Sequence, residues 1–154
     1  MSTVVGVISD THGLLRPEAV EALRGCSMIL HAGDVGDPAV LIELAEIAPV
    51  EAVRGNVDLD GWARKHPLTR IIRIESAKLF MLHDVSMLAF DPRERGFGAV
   101  IFGHSHQPVA EQRNGVLFFN PGSAGPARFR LPITVGRLVV DGASVSGAHI
   151  KIVD

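Results

Sequence analysis

Only one cysteine, Cys26, occurs among the 154 residues. No internal disulfide can form, which suits a reducing compartment. Cys26 ends an apolar-periodic stretch and reads as a small buried apolar side chain. An excess of one charge sign is also lacking. Fifteen Lys and Arg against seventeen Asp and Glu leave a formal net charge of -2, which gives nucleic acid or an acidic membrane no broad attraction. Basic runs flanked by aromatics, the mark of a single-strand binder, are missing too. No apolar run approaches the ~20 residues that span a bilayer. Met1-Ser2-Thr3 leads straight into a strand-like run, with no basic segment ahead of a long apolar one, so no signal peptide is expected. The expectation is a cytoplasmic protein without membrane contact. Repeats, low-complexity tracts and linkers are absent, so residues 1–154 read as one domain. A chain of this length buries about two-thirds of its unfolded surface. It needs no metal merely to hold a core, so a metal here would be functional.

What is present is a series of apolar runs with polar stops. Thr3–Ile8, Met28–Ala32 and Val50–Val53 read as strands apolar on both faces, as in a parallel sheet flanked by helices. Pro17 opens a short helix to Arg24, and Pro38 opens a second with Val40, Leu41, Leu44, Ala45 and Ile47 as its apolar stripe. These strand–helix units predict a right-handed α/β half. The second half changes character. Arg70–Ile74 and Lys78–Leu82 read as paired strands, part of Ser86–Arg95 as a short helix, and Ala99–Phe102 as a buried strand. Asn114-Gly115 and Asp141-Gly142 are hairpin signals of type I′. They join Val109–Arg113 to Val116–Phe119, and Pro132–Val140 to Ala143–Ile152.

Polar residues gather where the strands stop. Asp10 and His12 follow the first strand, Asp34 the second and Asn56 the third. His83 ends a later strand, and His104 and His106 follow Ala99–Phe102. Strand carboxyl ends in an α/β sheet share one edge, where ligands bind. Each motif alone is weak, and Asp10 or Asp34 could serve as a helix N-cap. Seven oxygen or imidazole donors in this order are a specific set. Carboxylate, amide oxygen and imidazole without thiolate suit manganese foremost, with zinc, iron, nickel and magnesium also compatible. Two such cations, roughly 3.5–4 Å apart, repel strongly and need an anion between them. Asp34 is the candidate bridging carboxylate.

Asp10-Thr11-His12, Gly33-Asp34, Gly55-Asn56, His83 and Gly103-His104-Ser105-His106 resemble the motifs of the calcineurin-like metallophosphoesterase superfamily. The short chain and Asn120-Pro121-Gly122-Ser123 are similar to its small YfcE-type phosphodiesterases. The resemblance implies an α/β fold in which a two-sheet β-sandwich is flanked by helices, a four-layer αββα arrangement. It implies two divalent metal ions, one on Asp10, His12 and His106, the other on Asn56, His83 and His104, with Asp34 shared. Asp34 and Asn56 are the catalytic residues expected, with a metal-bridging hydroxide as nucleophile.

Two positions depart from the family pattern. Many members carry a histidine after the Gly-Asn pair that protonates the leaving group or holds the phosphate, and here that residue is Val57. The change fits the YfcE-type subgroup and implies a preference for good leaving groups. Asp84 stands where glycine is common, and either tunes metal affinity or faces solvent. His31 reads as a packed histidine behind the site, and Asp58 as a hydrogen-bonding support or a plain turn residue. His66 and His149 read as surface residues. Asn120–Ser123 is expected to support the site, and Arg128 and Arg130 to lie on a solvated loop, phosphate neutralisation being the alternative.

The expected function is a phosphodiesterase acting on a small phosphoester, with some phosphomonoesterase activity. A non-catalytic scaffold like the retromer subunit Vps29 and a nuclease are the alternatives. The intact ligand set disfavours the first and the near-neutral charge the second. A homo-oligomer is compatible with the sequence.

Overall fold

A computed structural model describes residues 2–128 and 130–153. Two five-stranded sheets pack face to face. The first holds β1 (Ser2–Ile8), β2 (Met28–His31), β3 (Val50–Ala52), β9 (Ile133–Asp141) and β10 (Ser144–Val153), in the order β10-β9-β1-β2-β3. Its β1, β2 and β3 are parallel, and the β9–β10 hairpin adds antiparallel to β1. The second holds β4 (Thr69–Ile74), β5 (Ala77–Leu82), β6 (Ala99–Ile101), β7 (Val109–Arg113) and β8 (Val116–Asn120), in the order β4-β5-β6-β8-β7. Here β5, β6 and β8 run parallel, with β4 and β7 as antiparallel edges.

The strands read as apolar runs because each inner one is covered twice. Successive side chains point to opposite faces. Val5 and Val7 of β1, Leu79 and Met81 of β5, and Leu117 and Phe119 of β8 fill the core between the sheets. Ile8 and Ile29 face the other way, onto α1 (Pro17–Ala22) and α2 (Pro38–Ala45) through Ala19, Leu23, Val40 and Leu44. Phe80, Leu82, Val100 and Phe118 face outward from the second sheet. That outer layer is a single 3-10 turn, Val85–Met87, and the segment running on to Phe97. A second 3-10 turn, Gly61–Lys65, links β3 to β4.

Both helices start on proline and stop early. Asp37 caps α2 by accepting the Ala39 N–H at 2.8 Å, and α1 begins after Arg16 without a side-chain cap. Asp10 and Asp34 therefore cap neither helix. The Pro17 helix ends at Ala22 rather than Arg24, because Gly25 takes a left-handed φ of 85°. Asn114 and Gly115 both have positive φ, as a type I′ turn requires. At the second hairpin only Gly142 does, since Asp141 still pairs with Ser144 as the last residue of β9. His149 is half-buried rather than a surface residue. Its ring stacks on Phe119 at 4.8 Å, and its Nε2 lies 2.7 Å from the Asn120 carbonyl.

No helix among the described residues is long and apolar enough to cross a membrane.

Candidate metal centre

Five strands end around one rim. Asp10 follows β1, Asp34 follows β2, Asn56 follows β3, His83 directly follows β5, and His104 follows β6. The loops behind them are tied crosswise by the backbone. Asp10 N–H donates to the Gly33 carbonyl at 3.0 Å, His12 N–H to Asp34 at 2.9 Å, and Gly103 N–H to His83 at 2.9 Å. The first two bonds join loops of the first sheet and the third joins loops of the second, while the His104 N–H, donating to Asp10 Oδ2, ties the two halves of the chain at this rim.

All seven sequence-predicted side chains meet there. They form two groups, Asp10 with His12 and His106, and Asp34 with His83 and His104, each with ligand atoms within 4.8 Å of one another. Asn56 joins the second group, its Oδ1 lying 3.1 Å from His83 Nε2 and 3.2 Å from His104 Nδ1. Asp34 Oδ2 stands between the groups, 3.2 Å from His83 Nε2 and 3.7 Å from His12 Nε2.

Each carboxylate gives one oxygen to the protein and turns the other inward. Asp10 Oδ2 accepts from Ser9 Oγ at 2.7 Å and from the His104 N–H at 3.1 Å. Asp10 Oδ1 is buried without a hydrogen-bond partner among the described residues, 3.4 Å from His106 Nε2 and 3.8 Å from His83 Nε2. Asp34 Oδ1 accepts from the Val57 N–H at 3.0 Å, which leaves Oδ2 for the interior. His83 donates its Nδ1–H to the Ala32 carbonyl at 2.7 Å, and this turns Nε2 inward, toward Asp34. Carboxylate oxygens, the Asn56 amide oxygen and imidazole nitrogens thus converge. A divalent cation in each group would satisfy them, and such oxygen and nitrogen donors fit such an ion.

The electrostatics favour positive charge at this point. Burial raises the Asp10 carboxyl above its ordinary range, against the pull of His83 and the Ser9 hydrogen bond. Burial acts likewise on Asp34, but the hydrogen bonds from His83 and Val57 outweigh it and hold this carboxyl low. Burial pushes the His83 imidazole down, yet Asp34 and Asp10 overcome it and raise it above 6.5.

Five of the seven, Asp10, His12, Asp34, His104 and His106, have φ between 47° and 72°. This left-handed backbone costs L residues roughly 1–2 kcal/mol each and persists only where neighbours enforce it. The enforcing groups lie in a second layer. Asp58 accepts the N–H groups of Val35, Gly36 and Gly55 at 2.9 to 3.1 Å, and so joins the loops of Asp34 and Asn56 without touching a candidate ligand. Thr11 Oγ1 donates to the Val35 carbonyl at 2.8 Å and therefore accepts the Nε2–H of His31, 3.0 Å away. His31 Nδ1 accepts from the Gly33 N–H at 3.1 Å, so the ring is neutral. Burial lowers its pKa to about 3. Asn120 Nδ2 donates to the Gly103 carbonyl at 3.0 Å and to Ser105 Oγ at 3.2 Å, and Ser123 Oγ donates to the Asp10 carbonyl at 3.1 Å. The Asn-Pro-Gly-Ser turn is thus the back wall of the His104–His106 loop.

Sequence reasoning missed Ser9 and Thr11, whose only signal is a hydroxyl on either side of Asp10. His66 is half-buried against Trp62, not a surface residue. Asp84 accepts from the Ser86 N–H at 3.0 Å, and its other oxygen lies 3.9 Å from His104 Nε2. Arg128 is exposed, near enough to His106 to help depress that imidazole, after the larger effect of burial.

Glycine precedes Asn56 and His104 because the loops touch. A Cβ on Gly55 would stand 2.2 Å from Asp34 Oδ1, and one on Gly103 would stand 2.1 Å from Ser9 Oγ and 2.7 Å from Asp10 Oδ2. Gly103→Ala is therefore expected to weaken manganese binding at least tenfold by calorimetry. Unchanged affinity would mean that the loop yields freely. A second prediction concerns acid. His31 has a folded-state pKa near 3 against an ordinary 6.5, so the unfolded chain binds the extra proton between these values. Its stabilising contribution is complete above pH 6.5 and is lost as pH falls toward 3, with a slope of up to about 1.4 kcal/mol per pH unit. In urea titrations of metal-free protein, the advantage of wild type over His31→Gln should shrink across that window. A constant difference would contradict the neutral assignment.

With this geometry in place, the likeness to known proteins is specific. The calcineurin-like phosphoesterase superfamily domain matches residues 4–143. A probable metallophosphoesterase of Methanothermobacter thermautotrophicus is 37% identical over 160 residues, spanning 96% of this chain and 92% of its own. Phosphodiesterase YfcE of Escherichia coli K12 is 32% identical over 165 residues, spanning 89% and 88%. Among solved structures, Vps29 of Chaetomium thermophilum superposes with a TM-score of 0.78 over 96% of this chain and 97% of its own, at 19% identity, which is a likeness of fold. The extent of the domain match and the two related sequences settle the assignment: the chain belongs to the calcineurin-like phosphoesterase superfamily.

Proposed function

We propose that the protein is a binuclear metal-dependent phosphodiesterase. The observation that carries this reading is the convergence of seven oxygen- or imidazole-bearing side chains around Asp34, with Asp10 Oδ1 and His12 Nε2 buried and without a hydrogen-bond partner among the described residues. Asp10, His12 and His106 would hold one cation, and Asn56, His83 and His104 the other, with Asp34 shared. When bound, such a pair supplies a water of lowered pKa as nucleophile and Lewis-acid stabilisation of phosphoryl charge.

The chain's own groups define the rest. Asp10 and Asp34 are the only anionic side chains among the seven, so they neutralise half of the charge of two dications and leave the site attractive to an anionic phosphoester. His83 is held by Ala32 and presents Nε2, and Asp34 is held by Val57 and presents Oδ2. Neither must reorient during a reaction. Val57, exposed beside Asn56, has no proton to give a departing oxygen. Substrates whose leaving group is stable as an anion are favoured.

A Vps29-like scaffold shares the fold. The seven-residue set supports catalysis over that reading, and the net charge of -2 supports a small substrate over a nucleic acid.

Purified protein loaded with manganese should hydrolyse bis(p-nitrophenyl) phosphate, with slower turnover of the monoester, and a chelator should abolish both. Asp34→Asn should lower kcat/KM about 100-fold or more. Metal-replete protein without turnover of either ester would refute the enzyme reading. Across aryl methyl phosphates, log kcat/KM should fall steeply as leaving-group pKa rises; a flat plot would show that some group other than residue 57 donates the proton.

A further inference from the structure

Beside the Asn56, His83 and His104 end of the centre lies a cavity of about 540 Å³. Asp84, Arg54 and Thr69 line it together with Asn56, His83 and His104. The remaining wall is apolar and includes Leu68, Phe80, Leu82, Met87, Leu88 and Phe90. We propose that this cavity is a specificity-determining subsite that receives a bulky, uncharged aromatic substituent of the phosphoester. The proposal rests on the phosphoesterase reading and adds the class of substrate.

Its position, its composition and its wall support the proposal. The cavity is continuous with the candidate centre, since Asn56, His83 and His104 belong to both. A phosphoryl group held there has its substituent at the apolar mouth. The size and composition, a largely apolar cavity with a few polar groups, are those of a small-molecule site.

The wall is also built in advance of any ligand. Phe80 packs edge-on against Phe90 at 4.9 Å and against Phe97 at 5.4 Å, and the Arg95 guanidinium lies 4.2 Å above the Phe90 ring. Phe80 and Leu82 are anchored in the outer cluster of the second sheet. Leu68 and Met87, by contrast, are 60% and 73% exposed, which folding alone does not favour for large apolar side chains. Both line the cavity and gain cover from an apolar occupant.

The test compares two phosphonates that differ only in their single organic group. Manganese-loaded protein is titrated calorimetrically with methylphosphonate and with 1-naphthylphosphonate, and turnover of bis(p-nitrophenyl) phosphate is measured on the same preparation. Wild type should bind the naphthyl compound about tenfold tighter or more. Met87→Asp and Leu68→Asp alter exposed side chains and should each bring the affinity ratio toward one. The ratio is internally normalised, so a general loss of phosphonate binding does not imitate the effect. Turnover with a wild-type ratio near one would overturn the proposal and leave the phosphodiesterase reading standing. A ratio unchanged in both variants would equally overturn it. No turnover in metal-replete protein would refute the phosphoesterase reading, and the proposal with it.

Discussion

Asp10 Oδ1 is buried without a hydrogen-bond partner among the described residues, and the Nε2 atoms of His106, His83 and His12 stand 3.4, 3.8 and 3.9 Å from it. Such a grouping is unfavourable by itself. A desolvated carboxylate oxygen costs free energy unless it meets a donor or a positive charge. The surrounding structure depends on holding this convergence in place. Ser9 and the His104 backbone occupy the other oxygen of Asp10, Val57 that of Asp34, and Ala32 the far nitrogen of His83. Each partner removes an alternative orientation. Positive charge at the centre is the remaining way to satisfy the set.

The fold supplies the force that keeps these atoms together. Parallel strands end on one rim in each sheet, and the packed core between the sheets sets the distance between the rims. Loops leaving the strands must turn at once, which places five candidate ligands in left-handed backbone. Asp58, Thr11, His31 and Asn120 pin those turns from behind. Their bonds run between loops from different strands, so the centre is one mechanical unit and not seven independent side chains. The candidate centre is thus held in shape by residues that supply none of its candidate ligand atoms.

Much of this was legible in the sequence, for a physical reason. Polar residues at the ends of apolar runs have few structural uses, so Asp10, Asp34, Asn56, His83, His104 and His106 stood out in order. The parallel strands were legible as unbroken apolar runs. How the two halves face each other was not, because a run apolar on both faces does not reveal which layer covers which face; the family resemblance provided that. His149 and His66 looked like surface residues because their partners, Phe119 and Trp62, are distant in sequence or unremarkable in type. Asp141 was assigned to a turn because it precedes glycine, whereas its pairing with Ser144 keeps it in the strand. The cavity was invisible for a different reason. Leu68, Phe80, Met87 and Phe90 come from a loop, a strand and the segment around a 3-10 turn, and each alone reads as ordinary core.

The central claim is that two cations share Asp34. Anomalous diffraction from manganese-soaked crystals, recorded with an undisturbed Asp34, tests it directly. The account predicts two peaks, one among Asp10, His12 and His106 and the other among Asn56, His83 and His104, with the Asp34 carboxylate between them. A single peak, or a pair that leaves Asp34 outside both coordination shells, would contradict it.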